Sequence, residues 1–92
     1  MARVIIEILN MRSCSECFDM IDRINEVLEE LSHLKDEIKV IMLDLFEDNS
    51  RVVELGMYQC PALAINGILH YVGTVPEKME LKNLILTELS TS

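Results

Sequence analysis

The sequence predicts an α/β domain in which a four-stranded mixed sheet is flanked by three helices. Apolar, strand-like runs alternate with helix-like segments through the first half of the chain. In the second half, an Asn-Gly dipeptide joins two short apolar runs, and a final helical pattern follows. The chain has 92 residues, half of them apolar, which is enough for one compact core but not for two. We therefore expect a single domain over residues 1–92.

The first strand is expected over Arg3 to Leu9, a short and nearly continuous apolar run rich in Ile and Val. A helix is expected to follow with Ser13 as its N-cap, because Glu16 three residues later completes an S-x-x-E capping box. Beyond this start, apolar residues recur at helical spacing and form one stripe. The stripe consists of Cys17, Met20, Ile21, Ile24, Val27, Leu28 and Leu31.

A second buried strand is expected from Ile38 to Leu45, after a polar loop around residues 35–37. A short helix then runs from Asn49 or Ser50 to Leu55, and Gly56 supplies its left-handed end. The first two strands are joined through a helix. Such crossovers are right-handed and connect parallel strands, so these two strands are expected to be parallel neighbours.

Two short strands, Ala62 to Ile65 and Ile68 to Val72, are expected to form a hairpin. Asn-Gly between apolar runs is a strong signal for a two-residue turn. After Gly73 the chain enters a last helix, with Pro76 near its first turn. The order is therefore strand, helix, strand, helix, strand, strand, helix. The residues assigned to the core from this helix and from the methionines are Leu81, Leu84, Ile85, Leu89, Met20, Met42 and Met79.

The net charge of the chain disfavours some classes of binding partner. Sixteen acidic residues against eight basic ones give a formal net charge of -8, and no basic run is present. Because phosphate binding needs clustered Lys and Arg, we expect neither nucleic acid nor an anionic membrane as a partner. The apolar run that ends at Leu9 is interrupted by Glu7 and is too short for a signal peptide or a membrane span, so a cytoplasmic location is expected.

The run Cys14-Ser15-Glu16-Cys17 stands where the first strand gives way to the first helix. In a reducing compartment, cysteines serve chemistry or metal binding rather than a disulfide framework. Residues three apart share a helix face, so the two sulfurs can close a disulfide and reopen it. The helix start favours the thiolate of Cys14 and the neighbouring Glu16 opposes it, so the sequence leaves the net direction of the pKa shift open. Cys17 opens the apolar stripe and should be less exposed than Cys14. We therefore expect Cys14 to attack a partner's disulfide and Cys17 to resolve the mixed disulfide.

A second motif, Cys60-Pro61, directly precedes the third strand, where proline is tolerated because it need not donate a backbone hydrogen bond. Together with the CxxC motif formed by Cys14 and Cys17, this motif resembles the thioredoxin superfamily, in particular its small archaeal and bacterial thioredoxin- and glutaredoxin-like members. The resemblance covers about residues 3–90. It implies a thioredoxin-like fold with a redox-active disulfide between Cys14 and Cys17. It also implies a cis-proline at Pro61 and a backbone at Cys60 that pairs with the substrate peptide.

The same resemblance implies a thiol–disulfide oxidoreductase that acts on protein disulfides. It implies no organic cofactor within the chain, since electrons would come from a separate disulfide reductase or a small-thiol donor. The chain departs from the family pattern at several places, and two of them lie closest to the proposed chemistry. Ser15-Glu16 stand between the cysteines, and Ile8 occupies the position, six residues before Cys14, where thioredoxins bury an acidic proton acceptor.

Cys60 leaves a second interpretation open, a metal-binding or metal-transfer module with Cys14, Cys17 and Cys60 as ligands. Zinc sites usually take four ligands, so His70, His33 or a second subunit would have to contribute. If metal does not bind, Cys60 is either a small residue that fits its place or a third thiol that diverts the disulfide. A redox-inactive domain that binds a partner is the remaining interpretation, and accessible thiols without turnover would be its sign.

Overall fold

A computed structural model describes residues 3–11 and 14–91 of the chain. The described elements are the strands β1 (Val4–Asn10), β2 (Ile38–Asp44), β3 (Ala62–Ile65) and β4 (Ile68–Val72) and the helices α1 (Ser15–Glu30), α2 (Asn49–Leu55) and α3 (Lys78–Thr91). Their order is the one that the sequence predicts. A 3-10 helix, Ser32–Glu37, occupies the segment that contains the predicted polar loop. The ends of β1 and β2 differ from the prediction by one residue.

The described strands form one four-stranded mixed sheet in the order β2-β1-β3-β4. β1 and β2 are parallel, with Val4 opposite Ile38 and Asn10 opposite Asp44. β3 runs antiparallel to β1, and β4 runs antiparallel to β3 at the sheet edge. The predicted thioredoxin-like α/β fold is thereby confirmed, and the carboxyl end of β1 leads directly to the segment that carries the first two cysteines.

Each face of the sheet has its own apolar cluster, because successive residues of a strand point to opposite sides. On one face, Ile6 and Ile8 of β1 pack with buried side chains of α1 and α3. On the other face, Leu9 of β1 packs with Val52 and Leu55 of α2. The sheet is therefore held between α1 and α3 on one side and α2 on the other.

Helix α1 begins later than the sequence predicts. Its first residue is Ser15, and Cys14 takes the capping position with an extended backbone (φ −106°, ψ 108°). The carbonyl oxygen of Cys14 already accepts the N–H of Cys17 at 3.2 Å, which is the behaviour of an N-cap residue. The predicted N-cap, Ser13, lies outside the described residues. The predicted buried stripe of α1 is confirmed at its centre, since Met20 and Ile24 are fully enclosed.

Helix α3 begins two residues after Pro76 rather than around it. Pro76 is buried, and its carbonyl oxygen accepts a hydrogen bond from Nη1 of Arg23 on α1 at 2.9 Å. The proline thus fastens the segment before α3 to α1. From Lys78 onward the expected buried face is formed by Leu81, Ile85 and Leu89. None of the helices in the described part of the chain is long and apolar enough to cross a lipid bilayer.

Two of the methionines assigned to the core are at the surface instead. Met79 is 64% exposed because it lies two residues before Leu81, and a displacement of two positions turns a side chain to the opposite side of a helix. Met42 is 41% exposed, on the edge strand β2, where its neighbour Leu43 points inward. Met20 is buried as predicted.

Candidate functional site

An open cleft of about 710 Å³ lies where β1, β2 and β4 give way to their following segments. The start of α1 lines it with Cys14, and the segment between α2 and β3 lines it with Tyr58, Gln59 and Cys60. Leu45, just after β2, and Gly73, just after β4, complete these walls. The cleft therefore collects residues from four separate parts of the chain.

Three thiols lie close together at this cleft, two of them (Cys14 and Cys60) on its walls and the third (Cys17) buried behind them. The Sγ atoms of Cys14, Cys17 and Cys60 all lie within 4.8 Å of one another, although Cys60 comes from a different segment. All three cysteines are free. Cys17 is completely buried, whereas Cys14 and Cys60 are half-buried. The fold thus brings together the cysteines that the sequence singles out, and it gives each one a different exposure.

The position of Cys60 is fixed through the residue that follows it. The Cys60–Pro61 peptide bond is cis, and Pro61 is fully buried. The carbonyl oxygen of Pro61 accepts the backbone N–H of Gly73 at 2.7 Å, which ties the segment to the end of β4. Gly73 has a φ of +74°, in the left-handed region that favours glycine.

The surroundings of Cys14 lower the pKa of its thiol below the ordinary value. The largest cause is the Cys60 thiol, followed by the Cys17 thiol, because each can donate a hydrogen bond to the Cys14 thiolate. The backbone N–H groups of Cys17 and Glu16, at the start of α1, act in the same direction. Cys14 is therefore the cysteine of this group whose surroundings favour the reactive thiolate.

The other two thiols have the opposite tendency. Burial, followed by the neighbouring Cys14, raises the pKa of Cys17 to about 12. The Cys17 Sγ lies 3.7 Å from the carbonyl oxygen of Leu9, which can accept its hydrogen. The pKa of Cys60 is also raised, first by the neighbouring Cys14 and then by burial. Cys14 is thus the first thiol of the group to ionise, while Cys17 and Cys60 keep their protons.

The three sulfurs also form a group that could hold a metal ion. Within the described residues this group contains three thiols, one ligand fewer than a closed zinc site with four protein ligands. The histidines that could have completed it lie elsewhere, His33 on the 3-10 helix and His70 on β4. Nε2 of His70 is buried without a hydrogen-bond partner in the described structure. The geometry therefore supplies thiol chemistry more completely than metal binding.

Several residues of the cleft are not identified by reasoning from the sequence. Tyr58 is 82% exposed and stands with Gln59 at the wall beside Cys60, and Leu45 faces them from the end of β2. The available signal for Tyr58 and Gln59 is their position directly before the Cys-Pro pair. Leu45 could be found from the rule that ligands bind beyond the carboxyl ends of parallel strands.

Three comparisons place the chain among known proteins. Residues 4–86 match the family model described as a thioredoxin domain. The chain is 33% identical over 84 residues to a protein of Methanothermobacter thermautotrophicus named Probable Thioredoxin, covering 91% of this chain and 94% of that protein. A Methanothermobacter marburgensis protein of the same name is 31% identical with the same coverage.

The fold is also similar to solved structures at lower identity. Thioredoxin 1 of Thermosipho africanus superimposes with a TM-score of 0.68 at 19% identity, covering 95% of this chain and 96% of that one. Mitochondrial thioredoxin 3 of Saccharomyces cerevisiae, in its oxidised form, gives a TM-score of 0.70 at 12% identity, with 95% and 80% covered. At these identities the likeness concerns the fold.

Proposed function

This chain belongs to the thioredoxin family, and on that premise we propose that it is a thiol–disulfide oxidoreductase acting on protein disulfides through Cys14 and Cys17. The observation that carries the proposal is the contrast between these two thiols. Cys14 lines an open cleft and has a lowered pKa, whereas Cys17, with its sulfur less than 5 Å away, is completely buried. An accessible nucleophile with a protected partner is what disulfide exchange requires.

The first step is attack by the Cys14 thiolate on one sulfur of a substrate disulfide. A mixed disulfide forms between Cys14 and the substrate, and the substrate's other sulfur leaves as a thiolate. The hydrogen bonds from the Cys60 and Cys17 thiols that stabilise the Cys14 thiolate are lost at this point, because the sulfur no longer carries a charge.

The second step is attack by Cys17 on the Cys14 sulfur. The Cys17 thiol must first lose its proton, which the substrate thiolate released in the first step can accept. This becomes easier once the Cys14 thiolate has been consumed, because that neighbour is the second cause of the raised pKa of Cys17. A Cys14–Cys17 disulfide forms, and the remaining substrate sulfur leaves as a thiolate. The substrate has then gained two electrons and the CxxC has lost two. Ile8 is fully buried and carries no group that could take up a proton.

The cleft next to Pro61 would position the substrate. We propose that the backbone of Cys60 pairs with the substrate peptide while its thiol faces Cys14. The hydrogen bond from Gly73 to the Pro61 carbonyl, which ties this segment to the end of β4 beside the cleft, supports the assignment. The exposed ring of Tyr58, two residues before Cys60, offers apolar surface to a bound peptide.

The wider assignment follows from the same chemistry. We propose that residues 1–92 act as one thioredoxin-like domain that needs no organic cofactor. A separate disulfide reductase or a small thiol would return electrons to the Cys14–Cys17 disulfide. A site whose chemistry depends on free thiols suits the cytoplasm, where thiols are kept reduced.

The test is reduction of insulin disulfides with dithiothreitol as the electron donor. We expect the wild type to accelerate the reaction and Cys14→Ser to return it to the uncatalysed rate, because the attacking sulfur is gone. Cys60→Ser retains both thiols of the CxxC and is expected to keep turnover. The metal content of each preparation is measured in parallel.

Either of two outcomes would contradict the proposal. Full turnover in Cys14→Ser would show that the reducing thiol lies elsewhere. An inactive wild type that carries one metal ion per chain, lost in both Cys14→Ser and Cys60→Ser, would favour metal binding.

A further inference from the structure

The role proposed for the backbone of Cys60 does not explain why its side chain is a thiol. A peptide can pair with the backbone of residue 60 whatever its side chain is. Here the side chain is a thiol, and its sulfur lies within 4.8 Å of the sulfur of Cys14 as well as that of Cys17. Cys14 therefore has two thiol neighbours, one from the first turn of α1 and one from the segment before β3.

The two neighbours of Cys14 differ in access. Cys17 is completely buried against the carbonyl oxygen of Leu9. Cys60 is half-buried and lines the same open cleft as Cys14. Once a substrate is bound through Cys14, Cys60 is the neighbouring thiol that already faces the space in which the disulfide was attacked.

We propose that Cys60 is a second resolving thiol, which closes a Cys14–Cys60 disulfide in competition with the Cys14–Cys17 disulfide. The proposal rests on the proposed function, since it assumes that Cys14 forms a mixed disulfide with a substrate. It adds a third redox residue to the site and a second oxidised form of the protein.

The exchange is balanced at each step. The Cys60 thiol loses its proton to solvent and attacks the Cys14 sulfur of the mixed disulfide, and the substrate leaves as a thiolate. The Cys14–Cys60 bond replaces the Cys14–substrate bond, so the substrate is reduced and the protein is oxidised by two electrons. Cys17 can then attack Cys14 in turn, which forms the Cys14–Cys17 disulfide and releases Cys60 as a thiolate. This last exchange transfers no net electrons out of the protein.

The distances permit such a bond after a modest movement. A disulfide needs its sulfurs about 2 Å apart, and side-chain rotation about the Cα–Cβ bond moves a sulfur by that order. Cys14 has an extended backbone and precedes the first residue of α1, so it can rotate without disturbing the helix. Pro61 and the bond from Gly73 hold the backbone of the Cys60 segment in place.

The electrostatics of the thiols agree with the geometry. In the reduced protein, Cys60 keeps its proton because Cys14 holds the negative charge beside it. When Cys14 enters a mixed disulfide, the leading cause of the raised pKa of Cys60 is removed. The pKa of Cys60 is therefore lower in the mixed disulfide than in the reduced protein, so its thiolate forms more readily there.

A consequence for regulation follows from where the bond would lie. A Cys14–Cys60 disulfide would connect the two walls of the cleft, at the place assigned to the substrate backbone. A protein in this form is expected to be closed to new substrates until Cys17 or an external thiol reopens it.

The test uses Cys17→Ala and one equivalent of 5,5′-dithiobis(2-nitrobenzoic acid), an aromatic disulfide that leaves one thionitrobenzoate on the thiol that attacks it. We expect Cys17→Ala to lose this adduct and to finish as an intramolecular disulfide, which mass spectrometry reads as a mass without adduct. Peptide mapping should find Cys14 linked to Cys60. The double variant Cys17→Ala/Cys60→Ala, which has no second thiol, should retain one adduct on Cys14.

An adduct that persists on Cys17→Ala, or that ends as a dimer linked between chains, would overturn the proposal. Circular dichroism of the same samples shows whether the variants are folded, and Cys17→Ser provides a second variant if alanine leaves a cavity. The wild type under the same treatment separates the two proposals. If it closes Cys14–Cys17 while both Cys17 variants keep their adducts, the inference about Cys60 fails alone. If the wild type also keeps its adduct, the proposed function fails with it.

Discussion

The three cysteines of the site carry the same thiol group, but each thiol has different surroundings. Cys14 has hydrogen-bond donors around its sulfur, so its pKa is lowered. Cys17 is enclosed by the apolar core, so its pKa is raised to about 12. The chemistry of each thiol is therefore decided by its neighbours, and Cys60 is the neighbour with the largest influence on Cys14.

Removal of the Cys60 thiol tests that influence. We expect Cys60→Ala to raise the pKa of Cys14, because the main donor to its thiolate is lost. At neutral pH a smaller fraction of Cys14 is then ionised, and its alkylation by iodoacetamide becomes slower. The measurement is the pH profile of the alkylation rate. Cys60→Ser is the matched control, since its hydroxyl can still donate, and its profile should shift less. An unchanged profile in Cys60→Ala would contradict the assignment.

The raised pKa of Cys17 predicts a loss of stability at alkaline pH. The thiol ionises in the unfolded chain at its ordinary pKa but in the folded protein only near pH 12. Its contribution to stability is therefore fully present below the ordinary thiol pKa and is lost as the pH rises through the folded value. We expect the free energy of unfolding to fall less steeply with pH in Cys17→Ala than in the wild type. Equal slopes in urea unfolding between neutral and alkaline pH would refute this.

At the scale of elements, α2 is fastened to the sheet by an ion pair. Glu7 on β1 is 5% exposed, and its two carboxylate oxygens accept Nε and Nη2 of Arg51, each at 2.7 Å. Arg51 also contacts Glu54 on the same helix. A bidentate pair of this kind fixes orientation as well as distance, so it aligns α2 against its face of the sheet.

The ion pairs of Arg51 with Glu7 and with Glu54 are expected to contribute differently to thermal stability. Arg51→Met leaves the buried Glu7 carboxylate without its cation and should lower the melting temperature by on the order of 10 °C. Glu54→Gln breaks the exposed pair and should change it by no more than a few degrees. The double variant Glu7→Leu/Arg51→Met should recover much of the loss, since no buried charge remains. Thermal unfolding followed by circular dichroism compares them, and equal effects of the two single variants would contradict this view.

Gly73 connects β4 to the cleft in a conformation that other residues adopt at a cost. An added Cβ would lie 2.4 Å from Oε1 of Gln59, the far end of a flexible side chain. We expect Gly73→Ala to lower the free energy of unfolding by about 1–2 kcal/mol through its positive φ. Gly56→Ala is the matched control, with a φ of +80° and no neighbour closer than 3.8 Å. Chemical denaturation measures the free energy of unfolding of both variants. If the loss in Gly73→Ala disappears when Gln59 is also changed to Ala, the loss is caused by the clash with Gln59 and not by the positive φ.

At the scale of the whole molecule, the topology was predictable because its signals are local and strong. The hairpin β3–β4 has the predicted bounds, since Asn66-Gly67 can form a tight turn with both residues at positive φ. Gly56 ends α2 in the left-handed conformation, which glycine adopts readily because it has no side chain. Such patterns depend on a few neighbouring residues, which a sequence displays directly.

The features that escaped prediction depend on distant residues. Nothing near Glu7 in the sequence indicates Arg51, which lies 44 positions away, so from the sequence alone Glu7 is only an interruption of an apolar run. The start of α1 is a local exception, because the S-x-x-E pattern did not indicate that Cys14 takes the extended capping conformation. The approach of Cys60 to the CxxC was available from the family resemblance, whereas local periodicity gives no such information.

The net charge of -8 provides a prediction for the whole molecule. Repulsion among like charges destabilises a compact state, and salt screens it. We expect the melting temperature to rise by a few degrees when sodium chloride is increased from low to physiological concentration and above. Chloride is preferred to sulfate because sulfate stabilises proteins by a separate mechanism. A fall with salt would mean that ion pairs such as Lys82–Glu30 outweigh the repulsion.

The central claim is that Cys14 reduces a protein disulfide and that Cys17 completes the reaction. The most direct measurement is a single turnover, in which the reduced protein is mixed with insulin in the absence of any other thiol. We expect each chain to lose two thiols while insulin gains two, with Cys14–Cys17 as the main disulfide in the peptide map. Insulin that stays oxidised with the wild type, or that is reduced equally well by Cys14→Ser, would contradict the account.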